Sequence, residues 1–172
     1  MRFVAGVITG AAVALAVVAG VGYLAVMQGW IPAAADGPEL PGEAWAARHA
    51  LHAVLSREAQ MKSPLPVDEK LLNTGATIYA GNCSGCHGTP KTPNPNFAKG
   101  YDPPPTFFGA GDLVTDDPEG WTYWKTKHGI KFTGMPSFKP SLSDNDIWAV
   151  TMFLKNMDKL PPAVNERWKN MQ

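Results

Sequence analysis

Two cysteines and a histidine stand together in Cys83-Ser84-Gly85-Cys86-His87. The chain holds 2 cysteines in all, so no further thiol competes for either. Two residues between the sulfurs, with an imidazole straight after, is the attachment pattern of a c-type haem. The sulfurs add as thioethers across the two vinyl groups of one porphyrin, and His87 is then held under the iron as proximal ligand. Two other chemistries share the Cys-x-x-Cys spacing. A redox dithiol sits at a helix start after a buried strand, whereas residues 71–79 read as helix with no apolar strand before them. A structural zinc site needs a fourth strong ligand at compact spacing; His128 is remote, and His49 and His52 lie upstream.

The elements that must position these residues are helical. The helix before the motif starts near Asp68-Glu69, where acids are favourable at a helix N-terminus. Gly75, Tyr79 and Cys83 follow at four-residue steps along one face. Ser143-Asp144-Asn145-Asp146 is a capping signal, Ser followed three later by an acid, and it opens a helix over Ile147–Lys155. Pro161-Pro162 stops any continuation. Asp117-Pro118-Glu119-Gly120 opens a further helix, with Asp117 as N-cap and Pro in the first turn, and Gly129 closes it after His128. With 16 Pro and 17 Gly among 172 residues, the chain has much loop and little sheet. The expected class is all-α. Fifteen basic residues balance 15 acidic ones, so nothing suggests a nucleic-acid surface. No internal repeat is visible.

From Phe3 to Met27 run 25 residues without a charge, preceded by Arg2. That exceeds a signal-peptide core and suits a single membrane-spanning helix. Arg2 places the leading end in the cytoplasm, and Trp30 suits the far interface. The body is then periplasmic, and the expected location is a bacterial inner membrane. The competing reading is a long signal peptide cleaved after Ala33-Ala34-Ala35. Gly6 and Gly10 form a small-xxx-small pair of the kind that packs membrane helices, a pattern common by chance in Ala/Gly-rich spans. Pro32 to Pro41 is a linker, and Gly42 to Met61 reads as a helix on which Trp45, His49, His52 and Leu55 share a stripe. Two histidines three apart can bind a metal, but no third ligand joins them, which favours an ordinary exposed face. Ser63-Pro64-Leu65-Pro66 ends this arm. The expected organisation is an anchor (1–30), a linker with a short helix (31–66), a haem domain (67–160) and a tail (161–172).

Gly-x-x-x-aromatic-x-x-x-Cys-x-x-Cys-His, a Met in a loop, and a last helix carrying Phe153-Leu154-Lys155 together resemble the class I c-type cytochromes, over about residues 67 to 160. The resemblance implies a small helical domain wrapped around one covalent haem, with Gly75 facing Val150 and Tyr79 packing near Phe153. In that family the distal ligand comes from a Gly-Met-Pro loop, which Gly134-Met135-Pro136 resembles. Met135 is therefore the expected sixth ligand, with His128, Met152 and Met157 as rivals. A thioether there raises the reduction potential relative to a second imidazole. The resemblance also implies that a proline carbonyl accepts the second N–H of His87. Pro103, Pro104 and Pro105 are the candidates; the sequence does not say which, and Pro104 is named for the site. Trp121 and Trp124, with Tyr123, are expected to wall the haem, their N–H and O–H groups able to reach a propionate; core packing alone is the alternative.

Between Gly120 and Ser143 there are four lysines and no acid: Lys125, Lys127, Lys131 and Lys139. In the family, partners dock at the exposed haem edge, so this rim would steer an acidic redox partner. The expected function is a membrane-anchored monohaem carrier of single electrons between respiratory or dehydrogenase partners, or the same module as a subunit of a membrane complex. It is not itself expected to be an enzyme. Two alternatives stand beside it: a gas sensor or enzyme subunit with an open sixth iron position, and an interaction protein whose haem is structural.

Overall fold

The structure is a computed structural model and describes residues 2–34, 36–101, 104–105, 107–108 and 114–171. Pro103 and Ala35 lie outside the described residues. The chain divides into two compact units, Met1–Pro41 and Gly42–Gln172. Among the described residues every regular element is helical: α1 (Arg2–Met27), α2 (Glu43–Glu58), α3 (Glu69–Asn82), α4 (Ser84–His87), α5 (Glu119–His128), α6 (Asp144–Lys155), α7 (Pro162–Asn170), and a 3-10 segment at Asn96–Gly100.

The first unit is built on α1. Its 26 residues extend about 39 Å at 1.5 Å per residue, enough to cross a ~30 Å hydrocarbon layer with some tilt. Its mean hydropathy reaches 2.4 and none of its residues is buried, so its apolar side chains have no protein core to enter.

In the second unit the core lies between α3, α6 and α7. Asp68 caps α3, accepting from the Leu71 N–H at 2.7 Å, and Ser143 with Asp146 forms the reciprocal capping box of α6. Tyr79, Val150 and Phe153 are fully buried there, with Ala76, Leu154 and Trp168. A close approach of α3 to α6 requires glycine at position 75. A Cβ on that residue would fall inside the Ala149 carbonyl and stand 2.6 Å from the Phe153 Cβ. Gly75 thus meets α6 on the stretch that contains Val150, its nearest atoms being those of Ala149 and Phe153. Tyr79 does pack on Phe153, with ring centroids 5.8 Å apart. A second cluster joins Tyr123 of α5 to Ile147 and Trp148 of α6, Tyr123 stacking on Trp148 at 4.0 Å.

Both ends of the haem domain reach further than the sequence suggested. Residues 161–172, read as a tail, contain α7. Pro161-Pro162 opens that helix, with proline in its first turn, where a missing N–H is harmless. Val164 and Trp168 of α7 are buried, and Trp168 meets Tyr79 and Phe153 edge-on at 5.5 and 5.1 Å. At the other end, α2 packs on α5. Gly120 lies directly against the Glu58 carbonyl, Lys62 pairs with Glu119 at 3.1 Å, and the Ser63 N–H donates to Glu119. Of the stripe expected on α2, Leu55 is buried while Trp45 is exposed.

Candidate functional site

Cys83 ends α3, and its backbone carbonyl accepts the N–H groups of Cys86 and His87 at 3.1 and 2.9 Å. The motif is therefore one further helical turn, α4, which puts both sulfurs and the imidazole at the end of the core helix. Tyr79 fastens that turn from below: its hydroxyl donates to the Gly88 carbonyl at 2.8 Å, in a buried position.

His87 Nδ1 lies within hydrogen-bond distance of the Pro105 carbonyl. A carbonyl can only accept, so Nδ1 carries the proton and the Nε2 lone pair is left for a metal. The acceptor is Pro105 and not Pro104. The sequence could not distinguish them, because the choice is made by how the loop from Tyr101 folds back over α4. That loop is pinned twice more. The Phe107 N–H donates to the His87 carbonyl at 3.1 Å, and the Phe107 ring stacks on the imidazole at 4.1 Å. Burial pushes the His87 pKa down, partly opposed by the bond to Pro105, so the ring is held neutral, the form that binds a metal.

The thiols distinguish attachment from dithiol chemistry. Burial first, then the neighbouring Cys86, pushes the Cys83 thiol up to about 12. A redox Cys-x-x-Cys needs the opposite, a depressed pKa in an electropositive setting. The zinc reading has no support either. Among the described residues no group of three or more His, Cys, Asp or Glu side chains converges.

The methionine loop is held by the end of α5. Gly129, at φ +69°, terminates α5, and a Cβ there would come within 2.7 Å of the Met135 carbonyl, the Pro136 backbone and the Ser137 nitrogen. Only glycine lets the loop cross the helix end so closely. Three bonds strap the loop to the last turn: Phe138 N–H to Thr126 and Lys139 N–H to Lys127, both 3.2 Å, and Ser137 Oγ to the Lys127 carbonyl at 2.7 Å. The Ile130 N–H donates to the Met135 carbonyl at 3.2 Å, closing the turn. Tyr101 joins this loop to the cysteine turn. Its hydroxyl hydrogen-bonds the Cys86 thiol, and its ring occupies the space a Gly134 side chain would need. No sequence signal pointed to Tyr101, since its partners are 15 and 33 residues away along the chain.

Met152 is buried in α6 and Met157 packs against the main core. His128 is exposed, its ring lying against Trp124 at 5.1 Å. Trp121 is half-buried and meets His52 of α2 edge-on at 5.5 Å. Its Nε1 is buried with no hydrogen-bond partner among the described residues, an orphan donor of the kind a carboxylate of a bound group would satisfy. Asp117 is not the N-cap of α5. That position is Pro118, with no side-chain cap, because the Asp117 carboxylate is drawn instead to Lys125 at 2.8 Å. Lys127 is likewise engaged, with Asp144 at 2.6 Å and the Tyr123 hydroxyl at 2.9 Å. Of the four lysines expected to form a rim, Lys131 and Lys139 are left outside any ion pair among the described residues.

A proton-bearing Nδ1 tied to a carbonyl, a neutral half-buried imidazole and two thiols outside any disulfide on the adjoining turn together fit a covalent haem. Comparison with curated proteins gives no match. Comparison with protein families matches the Cytochrome c model over residues 72–158, from the first turn of α3 to just past the end of α6. That span is half of the 172 residues and contains both the cysteine turn and the methionine loop, so the chain belongs to the cytochrome c family and carries covalently bound haem c.

Proposed function

We propose that this protein is a membrane-anchored, single-haem electron carrier whose iron is ligated by His87 and Met135. The family supports electron transfer in general. The reading of a closed, six-coordinate carrier rests on one observation, the strapping of the Met135 loop to the end of α5.

In this reading Cys83 and Cys86 hold the haem through thioethers, and it supplies an iron that cycles between the ferrous and ferric states. His87 provides Nε2, with its basicity and ring orientation set by the Pro105 carbonyl. Phe107 covers the outer face of the imidazole and excludes water from it. Met135 would offer its thioether as the second protein ligand. The loop carrying it is tied to the end of α5 by two backbone bonds and the Ser137 hydroxyl, which would hold the ligand in place in both redox states. Trp121 Nε1, buried without a partner among the described residues, would donate to a haem propionate. The α1 helix remains in the membrane as the anchor, and the haem domain stands on the periplasmic side, exchanging electrons with partner proteins in or near the same membrane.

Carbon monoxide added to the dithionite-reduced holoprotein tests the closed site. The reduced spectrum should stay low-spin and change little over minutes, while Met135→Ala should form the adduct at once. Rapid adduct formation by the wild type would put the gas-sensing or enzymatic reading first. Resistance to extraction from membranes by alkaline carbonate tests the anchor separately, against a cleaved leader.

A further inference from the structure

The two halves of the candidate site come from separate segments, the cysteine turn and the methionine loop, and Tyr101 touches both. Its hydroxyl hydrogen-bonds Cys86 Sγ. A Cβ on Gly134 would overlap Cε1 of the same ring and stand 2.6 and 2.8 Å from its Cζ and hydroxyl oxygen. The phenol therefore occupies the side-chain space that glycine leaves open. One side chain thus contacts the residue immediately before His87 and the residue immediately before Met135. The phenol O–H is the donor and sulfur a weak acceptor. A thioether keeps its sulfur lone pairs, so the same bond stays open to Cys86 after haem attachment.

The ring is presented from a firm base. Tyr101 follows the 3-10 segment Asn96–Gly100, and its N–H donates to the Ala98 carbonyl at 3.2 Å. Ala98 is fully buried, and Phe97 meets the phenol edge-on at 5.7 Å. Four residues further on, the same segment supplies the Pro105 carbonyl that holds His87. On the methionine loop, the bonds to the last turn of α5 are all made by residues 137–139, after Met135. Tyr101 meets the loop just before it. The two restraints flank the ligand.

We infer that Tyr101 is a positioning residue for the sixth ligand: it latches the Met135 loop to the cysteine turn and so keeps the Met135 thioether on the iron against competing ligands. The inference rests on the His87–Met135 ligation proposed above and adds the residue that keeps that ligation closed. For Met135 to leave, the loop must either lift off the ring or carry the ring away from Cys86. Lifting off opens a void beside Gly134, and carrying the ring away breaks the hydrogen bond. Each adds to the free energy of local opening.

The test titrates imidazole into the ferric full-length holoprotein in detergent, reading displacement of Met135 from loss of the sulfur-to-iron absorption band in the red. Tyr101→Phe keeps the ring and removes only the hydroxyl. It should raise the apparent imidazole affinity about fivefold, the scale of one ordinary hydrogen bond. In the Met135→Ala background the same substitution should change nothing, because no thioether remains to be held. A general loosening of the domain would instead act in both backgrounds. Equal imidazole affinity of Tyr101→Phe and wild type overturns the inference, as does the same gain in both backgrounds; either result leaves Met135 as the ligand. A wild type that lacks the sulfur-to-iron band and binds imidazole as tightly as Met135→Ala overturns the ligation itself, and the latch with it.

Discussion

Gly75 and Gly81 lie on the same helix and should respond oppositely to alanine. A Cβ at Gly75 would stand 2.6 Å from the Phe153 Cβ, about 1 Å short of ordinary contact, and would overlap the Ala149 carbonyl. Neither obstacle is the end of a flexible side chain, so α6 itself must move in a core packed near crystal density. Overpacking of this kind costs about 1–3 kcal/mol, and a backbone obstacle places Gly75→Ala at about 3. The better helix propensity of alanine offsets about 1 kcal/mol, leaving a net loss of about 2 kcal/mol. A Cβ on Gly81 meets nothing within 4 Å. Gly81→Ala should therefore stabilise by about 0.5 kcal/mol, since it lies in the last turn. For a domain of this size the pair should separate by roughly 10 °C in Tm, with Gly75→Ala below wild type and Gly81→Ala at or above it. Thermal and guanidinium unfolding of the two haem-loaded variants, followed by far-UV circular dichroism, measures it. If Gly75→Ala melts with wild type, the α3–α6 contact does not have the closeness on which this prediction depends.

Trp168→Ala should destabilise the haem domain by about 3–5 kcal/mol, because the ring is almost fully buried against Tyr79 and Phe153; guanidinium denaturation reads it, and a change below 1 kcal/mol would mean that α7 is an appendage. Asp144→Asn should lower Tm at neutral pH, by removing the partner of Lys127 at the start of α6. The Asp144 carboxyl is held below its ordinary value, first by the Lys127 hydrogen bond and then by Tyr123. Its contribution is therefore fully present above the ordinary carboxylate pKa of about 3.9 and disappears as pH falls through the lowered folded-state value. Wild type and Asp144→Asn should converge in Tm toward pH 2, and in high salt, since the carboxylate is largely exposed.

What the sequence disclosed follows from the range of each interaction. The cysteine–histidine turn, the Asp68 and Ser143 caps and the Gly129 stop are all written within a few residues, where sterics and local hydrogen bonds decide the outcome. The Tyr79–Phe153 contact was accessible through family resemblance. The choice of Pro105 over Pro104 was not, because it depends on how a loop returns across α4. Neither was the loss of Asp117 as a cap: the Asp-Pro signal was present, but a lysine two turns later offered the carboxylate a better partner. Tyr101 and the buried face of α7 escaped for the same reason. Trp168 sits in a stretch too short and too polar to announce a core helix, and its burial is decided by the space beside Tyr79. The four-lysine rim lost two members to Asp117 and Asp144, acids that lie just outside the stretch in which no acid occurs.

Packing of α2 onto α5 also changes how far the haem domain can roam. With α2 part of the domain, the free cord between the end of α1 at Met27 and the start of the second unit at Gly42 is residues 28–41, about half the length of the arm apparent in the sequence. Fully extended, it spans at most about 50 Å, and as a flexible coil it averages about 20 Å. With α1 kept in the membrane as proposed, such a leash would confine the domain to a thin disc of membrane surface, and a partner within that disc would meet it at an effective concentration in the millimolar range. Weak, fast-dissociating contacts then suffice for turnover. The rate at which electrons leave would be governed by lateral encounter of membrane complexes, with little dependence on how much soluble carrier the compartment contains.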